Sequence, residues 1–314
     1  MQYLTNLNFS SMPNYLKRFE AKWRRYYGWA IADYKWFFMF FLSRFKFIRN
    51  LSAYFFCQPH ESQKSCQEIS CLDNIEEDEI VDFLNKDGLY VGINLPSKLV
   101  KQIHNYVNVS SCYGNEQPQF SFPYMDKEIA EKKYNETFII GDYPDVSEDC
   151  LAVRQLEKDP KLLEIASLYL NAKPVHLSTK LWWSYATEVP ISDRLNFAQV
   201  FFHYDLLDYH SIQFFFYLTD VELSSGPHVC VLRSHQNKKL THQLSCFTGR
   251  SDRDIINYYG TDNLKFVYGE AGLGFVEDPY CFHKGIPPSR KNRLMLKIAF
   301  GVNNYRIRSR ARKA

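Results

Sequence analysis

The run Phe201-Phe202-His203-Tyr204-Asp205, read with Phe282-His283-Lys284-Gly285 and Arg293, constrains this chain more than any other feature. His203 and Asp205 are two residues apart in an apolar run that begins at Phe197. Side chains alternate across a β-strand, so these two share a face and Tyr204 points away from it. A histidine and a carboxylate on one strand face, joined by a histidine from a distant strand, make the ligand set of a 2-His-1-carboxylate facial triad. Such a site leaves three positions open on iron. An H-x-D tripeptide alone arises by chance in many chains. The competing reading is two core histidines satisfied by hydrogen bonds, and it leaves Asp205 buried without a positive partner, a costly arrangement.

The surroundings of the triplet suggest where it sits in a fold. Strand-like segments run over Val175–Tyr185, Phe197–Tyr204, Ser211–Leu218, Val229–Leu232, Leu264–Tyr268, Leu273–Val276 and Leu294–Val302. Many strands with turns between them in the second half of the chain predict a mainly β fold with added helices, a double-sheet jelly roll. Before it, residues 74–84 read as an acidic amphipathic helix stopped at Gly88, Leu89–Ile93 as a strand, and 98–107 as a helix after Pro96. Residues 160–170 are helical, and Ser251 caps a short helix ending at Tyr259 before Gly260. The stretch 110–150, with mixed polarity and no period, reads as a surface excursion near the mouth of the site.

At 314 residues the chain can build one ample core. The expected organisation is an aromatic, basic helical extension over 1–57, a linker over 58–73, the jelly-roll domain over 74–304 and a basic tail over 305–314. Charge is divided unevenly. Residues 1–57 carry nine Lys and Arg against Glu20 and Asp33, a net +7, and the tail adds +5. The whole-chain value of +3 leaves −9 for the middle. No nucleic-acid motif accompanies the basic ends, so no nucleic-acid partner is expected. Trp36–Leu42 is seven apolar residues in a row, too short for the roughly 20 that a bilayer span needs. Residues 13–56 are expected to form a helix opening at Pro13, and two readings stand: a helix laid over the core, or peripheral contact with an anionic membrane. Deleting residues 1–57 is expected to change localisation or solubility more than iron binding.

The eight cysteines form no C-x-x-C and no regular framework, which reads as reduced thiols in a cytoplasmic protein. Cys66 and Cys71 would be a metal half-site only with a second pair, and none follows. The N-terminus lacks the charged start and apolar run of a secretory signal, so the sequons at Asn8, Asn50, Asn108 and Asn135 are expected to be idle.

Taken together, these parts resemble the phytanoyl-CoA dioxygenase-like family of Fe(II)/2-oxoglutarate-dependent dioxygenases, over roughly residues 80–304. The H-x-D is followed by the strand Gln213–Leu218, an acidic turn and Gly226-Pro227. A further strand ends in Leu232-Arg233-Ser234-His235, where the family has Gly-Ser-His and Arg233 replaces the glycine. Glu270–Phe275 resembles the segment before the family's distal histidine, and His283-Lys284-Gly285 its His-x-Gly. Arg293 lies ten residues beyond His283, where the family places its 2-oxoglutarate arginine.

The resemblance implies a double-stranded β-helix with a cupin-like core. It assigns His203, Asp205 and His283 to Fe(II), and Arg293 to the C5 carboxylate of 2-oxoglutarate. A planar guanidinium suits that bidentate role, with Arg290 as its competitor if the register slips. Dioxygen is the second co-substrate, and turnover would release succinate and carbon dioxide while hydrogen is removed from a small organic or lipid-like substrate. Asp205 stands where halogenating members have a small residue, so hydroxylation is expected. Gly285 departs from relatives that carry a serine two residues after the distal histidine. Of the other histidines, His210, His228 and His242 read as surface or turn residues, His235 as locally hydrogen-bonded and His176 as a candidate cavity residue. Lys180 is a weaker candidate for the co-substrate. The rival readings are a non-catalytic jelly-roll binding protein and a membrane- or anionic-surface protein acting through its basic ends.

Overall fold

The computed structural model describes residues 27–28, 30–56, 70–72, 76–190, 194, 200–244 and 249–305. Most of the expected linker over 58–73, the helix opening at Pro13 and all of the tail beyond Tyr305 lie outside the described residues.

An antiparallel sheet of eight strands dominates, in the order β1-β9-β6-β11-β5-β4-β2-β3. Its strands are β1 (Leu89–Val91), β2 (Ser111–Gly114), β3 (Ser121–Pro123), β4 (Ile140–Asp142), β5 (Val175–Ser184), β6 (Ser211–Tyr217), β9 (Gly274–Glu277) and β11 (Arg293–Gly301). A second sheet of three strands, β10-β7-β8, is built from His283–Gly285, His228–Val231 and Leu264–Val267. The chain is therefore mainly β with added helices, as expected.

Strands β6 and β11 explain why the large sheet holds together. All seven residues of β6 are buried, because both of its faces are covered. Ile212, Phe214 and Phe216 on one face join Leu294, Leu296, Ile298 and Phe300 of β11 in the main core cluster. Helices cover that side: α3 (Glu77–Asp87) contributes Ile80 and Leu84, α4 (Ser97–Val109) Leu99 and Ile103, α7 (Leu151–Glu157) Leu156 and α8 (Pro160–Leu170) Leu162 and Ile165. Phe215 and Tyr217 of β6 turn the other way with Phe275 and Met295, and meet Cys230 and Val267 of the small sheet. Period-two alternation thus gives one strand two apolar faces, and the gap between the sheets holds the site.

Local signals place the ends of several elements. Gly88 closes α3 in the left-handed region at φ 81°. The Asp159 side chain caps α8 by accepting from the Lys161 and Leu162 amides, with Pro160 in the first turn. Ser251 caps the helix Asp252–Tyr259 by accepting from Asp254 N–H.

Residues 110–150 correct the expectation of a surface excursion. They form β2, β3 and β4, which extend the large sheet beyond β5, together with the helices Lys127–Tyr134 and Val146–Asp149. Phe138 fills the space over Gly114, and Phe122 stacks on Phe138 at 4.6 Å. The N-terminal segment is also not one helix. It contains α1 (Tyr34–Leu42), capped by Asp33 accepting from Trp36 N–H, and α2 (Lys46–Phe56). Both lie on the core: Met39, Arg44, Arg49 and Ser52 are buried, and Lys46 Nζ donates to Gln236 O at 3.0 Å.

Candidate metal centre

The described part of the expected strand 197–204 is not a regular strand. Phe202 bridges Arg250 and His203 bridges His283, and pairing ends there. The second bridge matters most: His203 N–H donates to His283 O at 3.0 Å, and His283 N–H returns the bond to His203 O at 2.8 Å. Two residues eighty apart in sequence are thus fixed side by side through their own backbones. Asp205 N–H donates to Pro279 O at 2.7 Å, which sets the third member. Tyr204 points away, as alternation requires, and its hydroxyl donates to the His242 and Gln243 carbonyls.

His203, Asp205 and His283 each offer one ligand atom, and these atoms lie within 4.8 Å of one another. His203 Nε2 is 4.0 Å from Asp205 Oδ1, and His283 Nε2 is 3.9 Å from Asp205 Oδ2. The tautomers follow from the carbonyls behind each ring. Nδ1 of His203 faces Phe201 O at 3.0 Å, and Nδ1 of His283 faces Cys281 O at 3.0 Å. Each Nδ1 therefore carries the proton, and each Nε2 presents a lone pair to the common point. His203 Nε2 is buried with no hydrogen-bond partner, an arrangement that a bound cation would resolve. Gln213 Nε2 donates to Asp205 Oδ2 at 3.1 Å and orients the carboxylate.

Charge states suit a cation. Burial lowers the pKa of His203, and it pushes His283 down to about 4, so both are neutral near pH 7. Burial alone would raise Asp205, but the nearby His283, Lys297 and His203 outweigh it and hold the carboxyl at about 2. Two neutral imidazoles and one carboxylate fit a first-row divalent metal.

Arg293 opens β11 next to Ser184 of β5, and it is buried. Its Nη2 donates to Ser184 Oγ at 3.3 Å, while Nε and Nη1 have no hydrogen-bond partner. Gly285 is what gives this guanidinium room, since a Cβ there would lie 3.2 Å from Arg293 Nη2. The competitor Arg290 is exposed in the preceding turn. Arg293 and the three triad residues line one cavity of about 400 Å³. Phe215, Trp182 and Met295 form apolar wall, and Ile286, Pro287 and Pro288 another side. The stretch 110–150, expected near the mouth of the site, contributes Glu116, Ile139 and Ile140 to the lining, and Arg194 adds a further basic group.

Several expectations are corrected here. His228 is no surface residue: it is buried at the start of β7, lines the cavity, and meets Glu277 with Nε2 2.8 Å from Oε2. His242 is buried too, with Nδ1 3.2 Å from the Tyr259 hydroxyl. His210 is half-buried with Nε2 on Arg49 O, a long-range contact. His235 bonds far from its turn rather than locally, with Nδ1 3.2 Å from Cys281 Sγ and Nε2 3.3 Å from Asn85 O. His176 does not line the cavity; its Nε2 faces Thr179 Oγ1 at 2.8 Å. Lys180 does line it, but its ammonium pairs with Glu116 and lies 3.7 Å from Asp142.

Sequence reasoning missed Glu277 and Lys297. Glu277 is fully buried, and burial pushes it up to about 8, so it is protonated near neutrality. It then donates to His228, whose pKa burial lowers to about 3. Its other oxygen lies 3.4 Å from His283 Nδ1. The only signal was alternation along β9 and β11, which puts Glu277 beside Phe275 and Lys297 beside Met295 on the inner face.

Arg233 sits at φ 64°, in the left-handed region that favours glycine. The family's glycine at that place would adopt the same turn without strain. Here Arg233 N–H donates to Asp87 O at 2.8 Å and its Nε to Asp87 Oδ1 at 2.7 Å, which hold the conformation.

No protein-family model matches the chain, and no curated protein does. Solved structures do. The epimerase SnoN, in complex with Fe3+, alpha-ketoglutarate and nogalamycin RO, aligns at 14% identity and TM-score 0.51, covering 72% of this chain and 83% of its own. The alpha-ketoglutarate-dependent carbocyclase SnoK aligns at 12% identity and TM-score 0.48, covering 75% and 87%. HygX from Streptomyces hygroscopicus, with nickel and 2-oxoglutarate bound, aligns at 16% identity and TM-score 0.47, covering 71% and 86%. At these identities the likeness to SnoN is one of fold: this chain has the double-stranded β-helix, cupin-like core on which that non-heme enzyme is built.

Proposed function

We propose that the chain is an Fe(II)- and 2-oxoglutarate-dependent oxygenase that hydroxylates a small organic or lipid-like molecule, with release of succinate and carbon dioxide. The observation that carries this reading is the shared cavity. It holds two imidazoles and a carboxylate aimed at one point, and a buried guanidinium with two unanswered donors. In this reading His203, Asp205 and His283 hold the metal, and Arg293 receives the distal carboxylate of 2-oxoglutarate. The SnoN complex, with Fe3+ and alpha-ketoglutarate on the same fold, supports the choice of cofactors.

Once bound, the metal and 2-oxoglutarate supply oxidative decarboxylation and the activation of dioxygen; the protein orients and shields them. The Phe201 and Cys281 carbonyls keep both imidazoles in the Nδ1–H tautomer, so that Nε2 is the ligand atom. Gln213 turns Asp205 toward the same point. Glu277, protonated, adds no second anion beside His283. Phe215, Trp182 and Met295 give the cavity an apolar wall on which an organic substrate can rest. SnoN is an epimerase, so this fold also serves reactions other than hydroxylation. Asp205 stands where halogenating members of the resembled family have a small residue, which favours hydroxylation over halogenation; desaturation and ring formation use the same site.

The test is an anaerobic titration with Fe(II) and 2-oxoglutarate, followed by the metal-to-ligand charge-transfer band. The wild type is expected to develop the band and the His203→Ala/Asp205→Ala variant to lack it. A folded, iron-loaded wild type without the band would refute the proposal and favour a non-catalytic binding protein.

A further inference from the structure

Eight of the twenty-one exposed large apolar side chains among the described residues belong to the short N-terminal segment: Tyr27, Ile31, Tyr34, Phe38, Leu42, Phe47, Leu51 and Phe55. Their spacing is regular. Tyr34, Phe38 and Leu42 recur every four residues along α1, and so do Phe47, Leu51 and Phe55 along α2, which is the spacing of one helix face. Tyr27 and Ile31 precede the extended Asp33 that opens α1. Phe47 and Phe55 are 67% and 72% exposed, values at odds with a face packed on protein. The opposite side is the one that is satisfied. Met39, Arg44 and Arg49 are buried, Tyr280 Oη–H donates to Arg44 O, and Arg49 Nη2 lies 3.6 Å from Asp278 Oδ1. The helices are anchored through one face and present apolar stripes on another.

Charge selects what covers the stripes. No Asp or Glu occurs from Tyr34 to His60, and Lys35 and Lys46 are exposed alongside the apolar positions. Upstream, Lys17, Arg18, Lys22, Arg24 and Arg25 face only Glu20 and Asp33 in the composition. Apolar side chains stand in line on α1 and α2, with Lys35 exposed beside them, Lys46 exposed though it also meets Gln236 O, and no acid in either helix. This matches the interface of an anionic bilayer, where rings and aliphatic chains enter the headgroup boundary and lysines meet lipid phosphates. No helix among the described residues is long and apolar enough to cross a membrane, so contact would be in the plane of the surface. From these observations we infer that residues 27–56 dock the protein onto an anionic phospholipid surface, with Phe38, Phe47 and Leu51 inserted. The inference does not rest on the chemistry proposed for the metal centre.

The test is flotation of the full chain with phosphatidylcholine vesicles and with vesicles containing 30% phosphatidylglycerol. It compares wild type, Phe38→Ser/Phe47→Ser/Leu51→Ser, and a control altered at another exposed site, Phe266→Ser. Binding to the anionic vesicles is expected for wild type and control, with at least tenfold weaker partitioning for the triple variant and for wild type on phosphatidylcholine alone. Far-ultraviolet circular dichroism and the Fe(II)/2-oxoglutarate band of the triple variant should match wild type, which separates surface loss from misfolding. Wild type that stays with the unbound fraction, or a triple variant that floats equally well, would overturn the inference. So would a wild-type dimer in solution that the triple substitution splits, since the stripes would then belong to a second copy.

Discussion

A guanidinium buried with two unanswered donor nitrogens is costly unless an anion joins it, and Arg293 is in that state. Its ammonium counterpart would lack the planar fork and the reach of two parallel donors. Arg293→Lys is therefore expected to weaken 2-oxoglutarate binding by ten- to a hundredfold, about 1.4–2.7 kcal/mol, while the charge-transfer band still forms at saturating co-substrate. Unchanged 2-oxoglutarate affinity would remove Arg293 from the co-substrate site. Glu277 gives a pH signature. Its folded pKa is raised from 4.5 to about 8, so the folded state holds a proton that the unfolded state has lost, and stability falls as pH rises through that window. His235, raised to about 9 because Cys281 outweighs its burial, acts in the same direction above 6.5. His228 and Asp205 are depressed and act oppositely, but His228 has finished by 6.5 and Asp205 well below that. Lys238, lowered to about 7 by burial, and Cys281, held low by Cys230 and His235 despite its burial, also act against Glu277, and in the same window. The signature is therefore a difference: in metal-free protein the melting temperature of Glu277→Gln relative to wild type should rise between pH 6.5 and 8.5. Equal slopes in thermal melts of the two proteins would disprove the assignment.

At the scale of elements, the turn Gly226-Pro227 supports one wall of the cavity. Gly226 has φ 75°, and a Cβ there would lie 2.1 Å from Ile286 O, while Ile286 N–H donates to Pro227 O at 3.0 Å. The turn between β6 and β7 is thereby pressed against the segment that carries Ile286, Pro287 and Pro288 into the site. Gly226→Ala should destabilise the fold by about 2 kcal/mol or more, a fall of roughly 4 °C or more in melting temperature. A calorimetric melt within 1 °C of wild type, given as about that margin of error, would show that the turn yields freely. The elements also show what a sequence can reveal. Strands β6 and β11 were readable because each is a run of seven to nine mostly apolar residues, and α3 and the helix after Ser251 because Gly88 and Ser251 mark their ends. Strands β2, β3 and β4 were not, because three or four residues cannot display a period. The break between α1 and α2 carries no Gly or Pro and was equally hidden. The triad could be read because His203 and Asp205 share one short motif. The Glu277–His228 pair could not, because it exists only where two sheets face each other.

For the molecule as a whole, the N-terminal helices are tied to the segment that delivers the distal histidine. Asp278 is buried; burial would raise its pKa, but Arg49 and His235 outweigh it and hold the carboxyl low. It also accepts from the Tyr169 hydroxyl at 2.8 Å. Deleting residues 1–57 would remove Arg49 from that carboxylate, five residues before His283. A lower melting temperature is therefore expected beside the change in localisation or solubility, read by a thermal melt of the truncated chain. The reciprocal backbone bonds between His203 and His283 have a kinetic meaning as well. Their rings are aligned by the polypeptide itself, so if they hold the proposed metal, its capture is expected to need no rearrangement of the chain. The association rate should then rise in proportion to free metal with no plateau, set by encounter and by loss of the ion's hydration water. Release is likewise expected without unfolding, with the melting curve of the metal-free protein as cooperative as that of the loaded one.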